Sequence, residues 1–273
     1  MRHRELLDFM CERHKIFIKK NSGFSKPWTN DDILQKYRFC NVYRELDTET
    51  KWLAAEWRCR NHKDFWFAAL VFRFINWHET ANDLRWPIPW DPERFIRILD
   101  ERKAAGKKVY SGAYMISTHG VREPKSTYLA RSLSIIWDRR EELRPRPDDT
   151  CSSFYERILQ CFDLGSFLAA QVVADVKYHP TLSHANDFDT FVAPGPGSKR
   201  GLNRVFERDP KTPFKGADWY VEFYELFATM RILCKDLLPP VHAQDLQNCL
   251  CEFDKYERVR LGEGRPKATY RGA

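Results

Sequence analysis

The chain of 273 residues is 43% hydrophobic and 30% charged, enough apolar content to build a core and too much to remain disordered. Its formal charge of +7 excludes an acidic solvating protein and admits a polyanionic partner, although a surplus of this size also serves simply to solvate a fold. The longest apolar run, Phe65 to Phe72, gives way to Arg73 and is too short to span a bilayer, so no membrane partner is expected.

Helical periodicity dominates from the start. Leu6, Phe9, Met10, Ile16 and Phe17 mark a first helix, and Thr29-Asn30-Asp31-Asp32 is a start signal for a second that runs toward Phe39. A third helix follows Asp47-Thr48 and carries Trp52, Leu53 and Trp57. The stretch from Asp64 to about Trp77 is apolar almost all round, which predicts a central helix. After the break at Pro87-Ile88-Pro89, Asp91-Pro92-Glu93 opens another helix that Gly106 ends. Residues 109–116 form the one candidate for extended structure, with a buried loop as the alternative. A helix is expected over Ser126 to Leu143, and the Pro-rich stretch 144–149 reads as a linker.

Beyond it the pattern predicts helices over Ser152 to Phe162, Gly165 to Tyr178, Ser198 to Phe206, Asp218 to Leu237 and His242 to Val259. The expected fold is therefore all-α, with about ten helices in one catalytic domain over 1–261, possible lobes at 1–143 and 150–261, and a flexible basic tail over 262–273. Eight cysteines without a CxxC pair read as buried thiols of a cytoplasmic protein, and no metal site is expected.

Three stretches carry candidate chemistry. In the first, Arg38 to Asp47, Arg38 and Arg44 suit phosphate, Glu45 suits proton transfer, and Asn41 and Tyr43 suit contact with a base or donor; surface ion pairs are the plainer alternative. In the second, Gly195, Gly197 and Gly201 permit a tight turn and close backbone approach, with Ser198 as a cap and Lys199 and Arg200 in the first turn of the helix. Cations there oppose the helix dipole, which makes this an anion site or an ordinary capped helix. The turn resembles the hairpin of helix-hairpin-helix DNA-binding proteins. In the third, Asn248, Cys251, Glu252 and Lys255 share one helix face, where Glu252 and Lys255 either act chemically or pair along the helix. Isolated polar residues on apolar helices, Gln171 with Asp175 and Arg73 with Asn76, need partners in a cleft or a core network.

Taken in order, Asn41-Val-Tyr-Arg-Glu-Leu-Asp47, the Gly165 to Gln171 helix, Asp187-Phe-Asp189-Thr-Phe-Val with Gly195 to Leu202, and Cys249 to Tyr256 resemble a phage and bacterial family. It comprises the α-glutamyl/putrescinyl thymine pyrophosphorylases, or amino acid:DNA transferases, and the related helical domain of 5-hydroxymethyluracil DNA kinases. The resemblance implies a DNA-glycosylase-like helical fold, thymine hypermodification of viral DNA, and a host-cytoplasmic location. The implied substrates are DNA containing modified thymine and an amino acid (glycine is our guess) or another amine that replaces the phosphate or pyrophosphate on 5-hydroxymethyluracil. The alternatives are a kinase that phosphorylates the hydroxymethyl group with ATP and a non-catalytic DNA-binding module.

For the transfer, Arg44, Lys199, Arg200 and Lys255 are expected to stabilise the departing charge. Glu45, Asp189, Glu252 and Asp175 are the candidate proton acceptors. Asn41, Tyr43, Asn76, Tyr114, Gln171 and Asp187 are candidate base- or donor-binding residues, with Tyr43, Trp77 or Tyr114 expected to stack on a flipped base. No cofactor is required by these residues; magnesium enters only with the kinase alternative.

Overall fold

A computed structural model describes residues 1–112, 118, 120–161 and 163–270. The described residues form an all-α protein of thirteen α-helices and two short 3₁₀ turns, Arg44–Leu46 and Arg58–Arg60, without a strand. The chain divides into two compact units, Met1–Asp47 with Asp189–Ala273, and Thr48–Phe188. The stretch 144–149 lies inside the second of these.

The first unit contains α1 (His3–Asn21), α2 (Asp32–Lys36), α11 (Pro196–Val205), α12 (Asp218–Cys234) and α13 (Ala243–Arg260). Leu6 and Met10 of α1, Leu202 of α11, Phe223 and Met230 of α12, and Leu250 of α13 meet in its core. Each such side chain contributes roughly 1.5–3 kcal/mol by leaving water. The second helix is shorter than its start signal promised. Asp31 caps it by accepting the Leu34 N–H, but Tyr37 is already extended and forms an antiparallel bridge with Thr269. Arg38 N–H donates to the Ala268 carbonyl and Tyr270 N–H to that of Lys36, so residues 268–270 of the expected loose tail are held by backbone bonds.

The second unit contains α3 (Thr48–Glu56), α4 (Phe65–Ile75), α5 (His78–Leu84), α6 (Pro92–Ala104), α7 (Lys125–Asp138), α8 (Arg140–Leu143), α9 (Cys151–Leu159) and α10 (Ser166–Val176). All eleven residues of α4 are buried, as the unbroken apolar run predicts. The helix expected over 126–143 is interrupted at Arg139. Sequence periodicity passed over α5 because its buried residues, Thr80, Ala81 and Leu84, include only one strong hydrophobe. The backbone enters it through Asn76, which terminates α4 in the left-handed region at φ 44°. Half of the candidate extended stretch, residues 113–116 including Tyr114, lies outside the described residues.

Candidate functional site

One face of α13 organises the first unit. Asp245, Asn248, Cys249 and Glu252 recur at helical spacing, and each reaches the irregular backbone of residues 40–44. Asp245 Oδ1 accepts the Arg44 N–H at 3.2 Å, Asn248 Nδ2 donates to the Asn41 carbonyl at 3.3 Å, and Cys249 Sγ lies 3.8 Å from the Val42 carbonyl. Glu252 Oε2 accepts the Cys40 N–H at 3.1 Å. Residues 40–43 have no regular secondary structure and Arg44 opens a 3₁₀ turn, so their backbone groups must find partners, and this helix face supplies them.

The same need accounts for Asn41 and Tyr43. The Asn41 side chain donates to Leu46 O and Asp47 Oδ1, both at 3.0 Å, and its N–H donates to Asp47 Oδ1, which closes the loop on itself. Tyr43 gives its hydroxyl proton to the Pro239 carbonyl at 2.6 Å and sets its ring edge against His14. Burial, with Asp245 nearby, raises the pKa of this phenol above its ordinary value.

The glycine-rich turn differs in detail from its sequence expectation. Gly195, not Ser198, is the N-cap; Ser198 is the third helical residue, fully buried, and its hydroxyl accepts the Gly195 N–H at 3.0 Å. Because Pro196 has no N–H, the orphan amides of this helix end are those of Gly197 and Ser198. Two of the three glycines, Gly197 and Gly201, serve helix packing. A β-carbon on Gly197 would stand 3.0 Å from Cys251 Sγ, and one on Gly201 only 2.1 Å from the Leu250 carbonyl oxygen. Their spacing of four residues puts both on the face of α11 that meets α13, so the sequence signal was a small-residue packing stripe.

Electrostatics then separate buried supports from exposed cations. Asp254, with no solvent exposure, binds Arg200 Nε at 2.8 Å and Arg204 Nε at 2.9 Å, with Arg258 Nε at 3.6 Å. This carboxylate, missed in the sequence reading, explains how a cation near the start of α11 is tolerated: Arg200 turns toward Asp254. Glu252 is buried and pairs with Lys255 at 2.5 Å. Burial works against the charge on Lys255, but Glu252 more than offsets it and holds the lysine above its ordinary pKa. Lys199 and Arg38 are exposed and have no side-chain partner among the described residues. Asp189 is 57% exposed, with its carboxylate 3.2 Å from His242 Nε2.

The structure therefore gathers Arg38, Asn41, Arg44, Glu45, Asp189, Gly195 to Gly201, Glu252 and Lys255 into the first unit, the first and second stretches bound directly to α13. Asn76, Gln171, Asp175 and Asp187 belong to the second unit. There Asp175 takes a bidentate pair from Arg73, both contacts at 2.6 Å, and Arg73 Nη1 also donates to Asn76 Oδ1 at 2.8 Å. Both side chains of that pair are essentially inaccessible, so Arg73, Asn76 and Asp175 form a core network. Asp187 caps α9 by accepting the N–H groups of Cys151 and Ser152 at 2.7 and 2.9 Å.

No helix among the described residues is long and apolar enough to cross a membrane. Residues 2–265 match the family described as "5-hmdU DNA kinase, helical domain". A curated relative, a "5-hmdU DNA kinase" of Bacillus phage SP10, is 25% identical over 224 residues. That alignment covers 72% of this chain and 35% of the relative, so the chain spans about a third of the relative's length. No solved structure matches.

Proposed function

The chain belongs to the 5-hmdU DNA kinase helical-domain family, and on that premise we propose that it acts on DNA in thymine hypermodification, as a transferase that joins an amine nitrogen to phosphorylated 5-hydroxymethyluracil. The observation that carries this reading is the gathering of residues 40–44 and α11 on α13, with Lys199, Arg200 and Lys255 left at least partly accessible. A phosphate leaving a methylene carbon departs with the bonding electron pair and needs cations beside it. The incoming amine must lose a proton as its C–N bond forms, which calls for a carboxylate.

In this reading Lys199, Arg200, Arg44 and Lys255 meet the phosphates, Arg38 holds the flanking strand, and Glu45 or Asp189 takes the proton. Glu252 acts through its partners: it fixes Cys40 and sets the charge and position of Lys255. The balance is simple. One C–N bond forms, one C–O bond breaks, phosphate or pyrophosphate leaves, and one proton passes to the carboxylate. Glycine is the first amine to test.

A second reading, phosphorylation of the hydroxymethyl group by ATP with magnesium, is favoured by the name of the relative. Against its residing in α11, Gly197 and Gly201 of that segment pack against α13, and the sequence there lacks the Gly-x4-Gly-Lys-Ser/Thr pattern of a triphosphate cradle. Mass spectrometry of nucleosides separates the readings. DNA carrying phosphorylated 5-hydroxymethyluracil, incubated with the chain and isotopically labelled glycine or a polyamine, should yield a base bearing the labelled nitrogen. Phosphate gained from ATP by unphosphorylated 5-hydroxymethyluracil DNA would support the kinase instead, and DNA binding without a mass change would reduce the chain to a binding module.

A further inference from the structure

The second unit holds a groove of about 980 Å³ that none of the candidate residues touches. It is walled by the end of α5, the turn through Arg85 and Trp86, and the long side of α6 out to Lys107. Its lining carries a surplus of four positive charges. Part of that charge is compensated: Arg102 is clamped by Asp83 and Glu79, and Arg97 pairs with Glu101 at 3.1 Å. Arg85, Arg94 and Lys107 have no side-chain partner among the described residues. Arg60 extends over the Trp86 ring, 5.4 Å from its centre, which places a flat cation and an indole at one end of the same groove.

The backbone at Arg85 adds a second, independent observation. This residue ends α5 at φ 55° and ψ −164°, a region that glycine enters freely and a side chain resists. Folding alone would favour glycine at this position. Retaining arginine there puts an unpaired guanidinium at the rim of the groove, beside Trp86.

From Arg94 to its end at Ala104, α6 advances about 15 Å at the 1.5 Å rise of a helix, and Lys107 lies just past that end, its N–H turned back onto the Arg102 carbonyl. Cations spread over that length suit an extended polyanion better than a compact phosphate group. One strand of DNA carries a charge every 3.4 Å or so, so the wall would run beside about four phosphates.

We propose that this groove is a second DNA-binding site, which holds the phosphodiester backbone of the substrate strand through Arg85, Arg94 and Lys107. The proposal rests on the reading of the chain as a DNA-acting protein and adds a binding surface within the second unit. Fluorescence anisotropy with a labelled duplex, measured over a series of salt concentrations, tests it on the whole chain. For R85A/R94A/K107A the salt dependence should fall by about 0.9 in log–log slope for each cation removed. R85G alone should weaken DNA binding while its melting temperature stays level or rises, which separates loss of contact from loss of fold.

If the unaltered chain binds no DNA, the proposed function and this groove fail together. If it binds DNA and both variants reproduce its affinity and salt slope, the groove assignment alone is overturned. The same holds if the triple variant keeps DNA binding and loses instead the binding of a nucleoside triphosphate, which would make the groove a nucleotide site.

Discussion

Gly201 sits so close to Leu250 that a β-carbon on it would stand 2.1 Å from the Leu250 carbonyl oxygen. Alanine would gain about 1 kcal/mol of helix propensity at most, whereas overpacking against backbone costs about 1–3 kcal/mol and occasionally more. Because the obstacle is a carbonyl that cannot swing aside, the clash wins. Gly201→Ala should lower stability in chemical denaturation and, by pushing α11 off α13, displace Arg200 from Asp254. Gly197→Ala should cost less, since its obstacle is the Cys251 side chain.

The buried Arg73–Asp175 pair gives a prediction of opposite kind. Asp175→Ala leaves a guanidinium that is 2% exposed without its carboxylate, an error of about 3–5 kcal/mol. Replacing both partners together with apolar residues of similar volume should cost much less, because no charge then remains buried. Thermal melts of the single and double variants check this. A stable Asp175→Asn variant with turnover abolished would instead return Asp175 to the chemistry.

His179 makes stability depend on pH in the mildly acidic range. Burial, helped by Arg58 and His62, pushes its imidazole down to about 4. Its ring is stacked on Phe65, and the Thr181 N–H donates to Nδ1 at 3.3 Å. The unfolded chain takes up a proton near pH 6.5 and the folded chain does not, so stability should fall as pH drops from about 6.5 toward 4. NMR titration should find this ring neutral at pH values where exposed histidines are charged. A titration near 6.5 would contradict the assignment.

Carboxylates add a loss at lower pH. Burial favours the neutral form of Glu257, but Arg260 and Arg2 outweigh it and hold the carboxyl below its ordinary value. A depressed pKa contributes stability above the unfolded value and loses it as pH falls through the folded one. Glu257→Gln should therefore flatten the acid limb of a stability profile below about pH 4.5.

How much of this was legible in the sequence depends on what each residue had to do. The apolar run of α4 and the Asp91-Pro92 start of α6 announced themselves, because periodicity and capping are local. The spacing of Asn248, Cys251, Glu252 and Lys255 gave one helix face, but not that Glu252 and Asn248 are used to hold residues 40 and 41. That contact spans some 210 positions, and no local pattern encodes it. The glycines of α11 carried a second requirement that their turn did not announce: a turn that admits a phosphate and a stripe that admits a neighbouring helix use the same residue, and only the partners at Leu250 and Cys251 show the packing role of Gly201 and Gly197. Asp254 escaped notice because its worth lies in three arginines, one at position 200, one at 204 and one a turn later on its own helix.

If Glu252 sets the position of Lys255 in the transfer, Glu252→Gln should lower turnover by about 100-fold or more while DNA affinity changes little. The variant Lys255→Met should do the same, and the two changes combined should cost no more than either alone, since they break one pair. Fully additive losses would separate their roles.

The central claim is that the chain itself exchanges a phosphate on the modified base for an amine. Its most direct test is a single-turnover measurement with phosphorylated 5-hydroxymethyluracil DNA and excess glycine or polyamine, following phosphate release and base mass together. The account predicts release of phosphate or pyrophosphate in step with appearance of the amine adduct, both abolished by Lys199→Glu with Lys255→Met. Intact phosphorylated base after prolonged incubation with every amine tried, in the presence of tight DNA binding, would contradict it.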